Sequence, residues 1–345
     1  MGEGKDAFAT FQQFNQSATK VLLSQATYAN WLANRPYRSQ RRPFFNEDYG
    51  DDWPDQCRAT ALPKTAQLIK NGWEQLFPAA LKKSGSLKMR GYLRELTKTD
   101  APLKDIAAPR LVEVDQLVIK YYFAQAKVLL RKHQFDATRK MYKRIIAEYP
   151  SDPAAKRAEK EMGGISRIAV NYYKKEGDRN WNSVGHMGVP QKKSQEFYRA
   201  MYKENPDGSQ ADYALYYWAR ALGTVGKIKE EIKLLKQHLG KFPKSKIRSK
   251  VLYELGFVYA GLPINDHKKG IEIFEEVVNT YPHSKEAPES LWHEAFLFAI
   301  DQHFDKAIPL LQQLKAQYPK SLRTQWVDVW VAKYQKILKG EDHWP

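Results

Sequence analysis

A short phrase, an aromatic residue followed by proline, punctuates this chain at a nearly fixed interval. It stands as Phe242-Pro243-Lys244-Ser245, Tyr281-Pro282-His283-Ser284 and Tyr318-Pro319-Lys320-Ser321. Upstream, Tyr149-Pro150-Ser151 and Asn205-Pro206 repeat the ending. By subtraction Pro206, Pro243, Pro282 and Pro319 lie 37, 39 and 37 residues apart. A period of that size means one supersecondary unit stacked on copies of itself, and it constrains the fold more than any other feature.

Aligning the units on their prolines exposes a second regularity. Twelve residues before each proline stand Thr138, Ser194, Glu231, Gly270 and Ala307, four of the five small, as a close helix crossing requires. Eight before stand Tyr142, Tyr198, Leu235, Phe274 and Leu311, and five before stand Ile145, Met201, His238, Val277 and Leu314. Spacings of three and four put these residues on one face of a helix. Glu231 and His238 break the pattern in one unit, which is therefore expected to pack least well.

Each unit reads as helix A, a turn, helix B and a proline stop. Proline ends helix B because it has no N–H and disfavours helical geometry in the residue before it. The turns His133-Gln134-Phe135-Asp136 and Gln302-His303-Phe304-Asp305 suggest aspartate N-caps, with His133 and His303 at one turn position. The serine after each Phe/Tyr-Pro is placed to cap the next helix A.

The twelve-residue spacing from small residue to proline, with Leu255-Gly256 and Tyr259, resembles the tetratricopeptide repeat family. The Tyr-Pro-x-Ser ending followed by a helix, as in Ser284-Lys285-Glu286-Ala287, is similar to bacterial envelope members of that class. The resemblance covers about Asp115 to Lys339. It implies an all-α fold: an α-solenoid of about five helix pairs, with a non-repetitive helical N-terminal region and a C-terminal capping helix. It also implies a concave face, lined by the A helices, that binds an extended segment or a helix of another protein.

The domain reading is 1–110 for the N-terminal region and 111–345 for the repeats, with the Pro- and Ala-rich stretch Ala101 to Pro109 as boundary. Lys5 to Leu32, Leu62 to Leu81 and Met89 to Leu96 read as helices of the first region. Between the first two lies a charge-segregated loop containing Asn46-x-Asp48-x-Gly50-x-Asp52. It lacks the glycine and terminal glutamate of an EF-hand, so its acids are expected to pair with nearby arginines rather than hold calcium. Repeat two carries an insertion, Glu176 to Pro190, with Trp181 expected to fold back on the solenoid. Trp326, Trp330, Tyr334 and Ile337 form the main stripe of the capping helix.

Chemistry is sparse. No phosphate-binding loop, dinucleotide fingerprint, nucleophile elbow or zinc-protease pattern occurs, so no enzyme, cofactor or metal is expected. Cys57, the single cysteine, excludes an intramolecular disulfide. The formal net charge of +17 divides into +5 over residues 1–113 and +12 beyond, which predicts attraction to something acidic. Candidate partner-binding residues are Tyr122, Tyr216, Tyr217, Tyr253, Trp292 and His293 in the groove, and Trp181 and His186 in the insertion. Lys233, Lys236 and Arg248 lie in the densest basic stretch. The expected partner is another protein, acidic or offering an extended segment or helix. Peripheral membrane association is the alternative, and nucleic acid is disfavoured because arginines are few in the basic stretches. The resemblance implies the periplasm or the inner face of the outer membrane, with the cytoplasm as alternative.

Overall fold

The computed structural model describes residues 7–33, 53–99, 103–182 and 189–343, and among these residues all regular structure is helical. The helices run α1 (Ala7–Ala33), α2 (Trp53–Ser84), α3 (Ser86–Leu96), α4 (Leu103–Arg131), α5 (Phe135–Glu148) and α6 (Pro153–Gly163). They continue with α7 (Ile165–Asn182), α8 (Val189–Glu204), α9 (Ala211–Thr224), α10 (Ile228–Lys241) and α11 (Arg248–Ala260). The last are α12 (His267–Thr280), α13 (Glu286–Ile300), α14 (Phe304–Gln317) and α15 (Val327–Leu338), the last preceded by a short 3₁₀ turn, Thr324–Trp326. The chain forms two compact units, dividing between Met162 and Gly163.

In the second unit the repeat register becomes helix packing. α7–α8, α9–α10, α11–α12 and α13–α14 are the A–B pairs, and each B helix also packs on the next A helix. All fifteen register residues named above are buried. Gly270 shows why the first position must be small: a Cβ there would sit 2.9 Å from the Cβ of Ala260 on the partner helix. The hydroxyls of Ser245, Ser284 and Ser321 each accept a backbone N–H at 3.2 Å, in the turns leading to the next helix.

In the first unit α1 packs on α2 through Phe11, edge-on to Trp73 at 4.9 Å, and Trp73 Nε1 donates to Asn15 Oδ1 at 2.7 Å. α4 and α5 make the first repeat pair. Arg90 on α3 ties this pair in by bonding Tyr149 and ion-pairing with Glu148 at 2.6 Å.

Several expectations are corrected. Residues 103–109, read as a Pro- and Ala-rich boundary stretch, are the opening turns of α4, with Pro109 inside the helix. Asp136 and Asp305 are first-turn residues, whereas the N-caps are Gln134 and His303. His133 therefore aligns with Gln302 and not with His303; both adopt left-handed backbone, φ 57° and 63°. The described part of the insertion is helical: residues 176–182 extend α7 to 18 residues, against 13 to 15 for α9, α11 and α13. In the unit expected to pack least well, Glu231 and His238 are nevertheless fully buried, and both ring nitrogens of His238 lack a hydrogen-bond partner there. The loop with the calcium-like spacing lies outside the described residues.

Candidate partner-binding face

Four A helices of the second unit, α9, α11, α13 and α15, lie side by side, and contacts between their side chains define a face. The proline register makes four sets of residues equivalent across them: Tyr213, Lys250, Glu289 and Trp326; Tyr216, Tyr253, Trp292 and Val329; Tyr217, Glu254, His293 and Trp330; Arg220, Phe257, Phe296 and Lys333. Neighbouring helices touch through these residues. Arg220 Nη1 lies 2.6 Å from a Glu254 carboxylate oxygen, and Lys250 Nζ lies over the rings of Tyr216 and Tyr217 at 4.9 and 5.3 Å. The His293 ring is 5.8 Å from that of Tyr253 and 5.5 Å from that of Phe257. Phe296 meets Trp330 edge-on at 6.5 Å, and Arg323 pairs with Glu289 at 2.9 Å.

The two ends of the face differ in what covers the rings. At the α9 end the chain covers its own aromatics. Trp181, in the last turn of α7, packs edge-on against Tyr217 at 5.6 Å, and Lys174 lies 4.2 Å over Tyr213, whose hydroxyl donates to Asp178 at 2.8 Å. From α11 to α15 the apolar side chains stay open. Phe257 is 49% exposed, Phe296 37%, Ile300 38%, Trp326 51% and Val329 61%. Exposed apolar residues gathered in one place on neighbouring helices differ from the scattered ones every surface carries.

Charge on the face is largely internal. Glu254 is held by Arg220 and Glu289 by Arg323. Burial raises the Glu254 carboxyl above its ordinary value despite the guanidinium beside it. Burial, with Arg323 adding to it, lowers the His293 imidazole below its ordinary 6.5, so it is neutral at pH 7 and acts as one more ring in the floor. Burial also pushes the Tyr253 hydroxyl up to about 12. Among the described residues no group of His, Cys, Asp and Glu is arranged to hold a metal ion, and no helix is long and apolar enough to cross a membrane.

The sequence-predicted residues divide. Tyr217, Tyr253, Trp292 and His293 are half-buried on this face, and Trp181 folds back onto it. Tyr216 is 2% exposed and lies beneath the face, offering a partner no surface. Tyr122 is equally buried on α4 in the first unit, with its hydroxyl at 3.4 Å from Glu148. Arg248 Nη1 donates to the Leu239 carbonyl at 2.6 Å and ties the start of α11 to α10. Lys233 and Lys236 project from α10, a B helix, with Lys236 over the Tyr259 ring at 5.4 Å. His186 lies outside the described residues. Phe257, Phe296 and Ile300 were not expected as contact residues, nor was anything but a capping stripe expected of Trp326, and nothing of Val329. Extending the register one unit beyond Pro319 finds the last two, because it makes α15 a further A helix.

Comparison with known proteins agrees with the repeat. Residues 250–284 and 289–321 match the tetratricopeptide repeat family model. No curated protein matches the chain. Solved structures similar to it include the MamA protein, 15% identical over 61% of this chain and 95% of that one, with a TM-score of 0.35. Others are a tetratricopeptide repeat protein from Parabacteroides merdae, 12% identical over 65% and 75%, TM-score 0.33, and the P58(IPK) TPR domain, 14% identical over 96% and 99%, TM-score 0.29. At these scores the likenesses carry no argument about function.

Proposed function

We propose that this chain is a non-catalytic interaction scaffold that captures a segment of another protein on the α11–α13–α15 face. The observation that carries the reading is the open apolar set, Phe257, Phe296, Ile300, Trp326 and Val329, on three adjacent helices. The chain packs a row of helices beneath these residues and leaves about half of each side chain in water. Fully burying a large apolar side chain is worth about 1.5–3 kcal/mol, and these are already about half covered, so docking recovers roughly half of that at each and several anchors act together. Stacked helix pairs bind partners through such extended faces, and nothing on this face is arranged for bond-making chemistry.

A photo-crosslinking amino acid in place of Phe296, compared with one in place of Lys233, tests this reading. The expected result is a discrete protein adduct from Phe296 that Val329→Glu abolishes, with circular dichroism unchanged. Adducts of equal yield from both positions would refute it. We further propose that the complex served is an assembly of the bacterial envelope, on the periplasmic side or the inner face of the outer membrane. The support is the likeness of the Tyr-Pro-x-Ser endings to envelope members of the repeat class. Fractionation of the native source tests it, and a wholly cytoplasmic protein would end it.

A further inference from the structure

Resting on the groove just described, a second feature specifies what the bound segment must look like. The turns that lead into α11 and α13 enclose an open cleft of about 340 Å³, lined by Lys246, Lys250, His283 and Lys285 together with Glu286. The one carboxylate there, Glu286, accepts from the Ser249 hydroxyl at 2.9 Å and offsets one lysine, which leaves the lysines in excess. Among the described residues no ion pair takes up Lys246, Lys250 or Lys285. Lys250 belongs to both sites: it lines the cleft and lies on the aromatic face. The face's own carboxylates, Glu254 and Glu289, are neutralised by Arg220 and Arg323. The field left for a ligand at this end is therefore positive.

Distance then sets the ligand's pattern. Lys250 and Phe257 are seven residues apart on α11, and Lys285, at the start of α13, and Phe296 are eleven apart. At ~1.5 Å per residue the path from the cleft to the open rings is about 10–16 Å, which an extended chain covers in about three to five residues. We infer that the segment bound here carries acidic side chains that enter the Lys246–Lys250–Lys285 cleft. An aromatic or aliphatic anchor follows about three to five residues on and packs against Phe257 and Phe296. Carboxylates set against lysines fix the direction of the segment, and the apolar anchor supplies most of the affinity.

The test uses the full chain and three fluorescent peptides that share a Gly-Ser spacer and a Phe-Leu-Phe end. They begin with a run of glutamates, glutamines or lysines, and binding is read by anisotropy. The glutamate peptide is expected to bind about tenfold tighter than the glutamine peptide at ~0.15 M salt, with the gap closing near ~0.5 M as charges are screened. Lys246→Glu with Lys285→Glu should erase the glutamate preference and leave the glutamine peptide's affinity unchanged, whereas Phe296→Glu should weaken both. Equal affinity for all three peptides would overturn this inference and leave the groove standing. Failure of every peptide to bind overturns it too, while the crosslink at Phe296 judges the groove separately. Displacement of the glutamate peptide by a single-stranded RNA of matched charge would assign the lysines to polyanions in general, which also overturns it.

Discussion

Glu231 occupies a position filled in the other repeats by threonine, serine, glycine or alanine, yet it is only 1% exposed. The compensation lies on the partner helix. A Cβ on Gly223 would sit 2.0 Å from the Glu231 carboxylate, so that glycine makes the room the glutamate fills. Arg220 at 3.4 Å supplies a counter-charge, but burial outweighs it and holds the carboxyl at about 7. The sequence showed the irregularity and not its remedy, because the pairing of Gly223 with Glu231 exists only once the two helices cross. His238, in the same unit, shows the opposite case: both ring nitrogens are buried without a hydrogen-bond partner, and burial drives its pKa down to about 4. Glu294 gives the clearest prediction. It is 7% exposed, and burial followed by the neighbouring Glu275 raises it from 4.5 to about 7. The folded state therefore holds a proton that the unfolded chain releases above about 4.5. Stability from this group is full at acidic pH, falls as pH rises from about 4.5 to about 7, and stays lost above. Glu294→Gln should raise unfolding free energy by about 1–3 kcal/mol at pH 8 and by nearly nothing at pH 4. Urea melts at the two pH values check it; an equal gain at both would mean the carboxylate is not the cause.

At the scale of helices, what could be read from the chain was whatever recurs. The proline stops, the small crossing residue and the two apolar positions behind it all repeat, and each fell where expected. Helix boundaries were less legible because they rest on turn geometry. Seventeen residues before a proline, His133, Gly226, Asn265 and Gln302 all take left-handed backbone, yet only two of the four are glycine or asparagine, the residues that betray such a turn. α6 leaves little trace in the sequence, since its buried contribution is just Ala155 and Ala158. α7 runs on into the insertion, where Gly177 is buried in the helix and a Cβ would come within 2.8 Å of the Tyr198 ring; a glycine within a helix leaves no apolar signal to read. The crossing residue itself can be tested. Gly270 faces Ala260 and, at 3.3 Å from its would-be Cβ, the backbone oxygen of Gly256. Neither can rotate away as a long side chain would. Gly270→Val should therefore spread α11 from α12 and lower the urea midpoint by the equivalent of about 2–3 kcal/mol. A cost below about 0.5 kcal/mol, typical of surface substitutions, would show that the crossing does not need a small residue.

For the molecule as a whole, the second unit holds both the open face and the cores beneath it. Its clusters run from Tyr198 and Met201 through Leu215, Leu255 and Val277 to Leu311, Val327 and Tyr334, all within residues 163–345. α15 closes this row in a particular way. Val327 and Tyr334 pack inward, while Asp328, Ala332, Gln335 and Lys336 are exposed beside the open apolar residues Val329 and Leu338. The net charge predicted attraction to acidic matter without locating it, since charge counts hold no positions; the contacts within the unit place part of it beside an apolar groove. Residues 163–345 expressed alone should therefore fold cooperatively and bind the glutamate peptide within about twofold of the full chain. A version ending at Pro319 exposes Leu311, Leu314 and Phe304, and should lose both the cooperative transition and the binding. Chemical denaturation followed by tryptophan fluorescence, with anisotropy on the same samples, measures both. If the isolated unit folds but binds tenfold more weakly or worse, residues before Gly163 contribute to the site. If the truncated version still binds, Trp326, Val329 and Trp330 are not part of it.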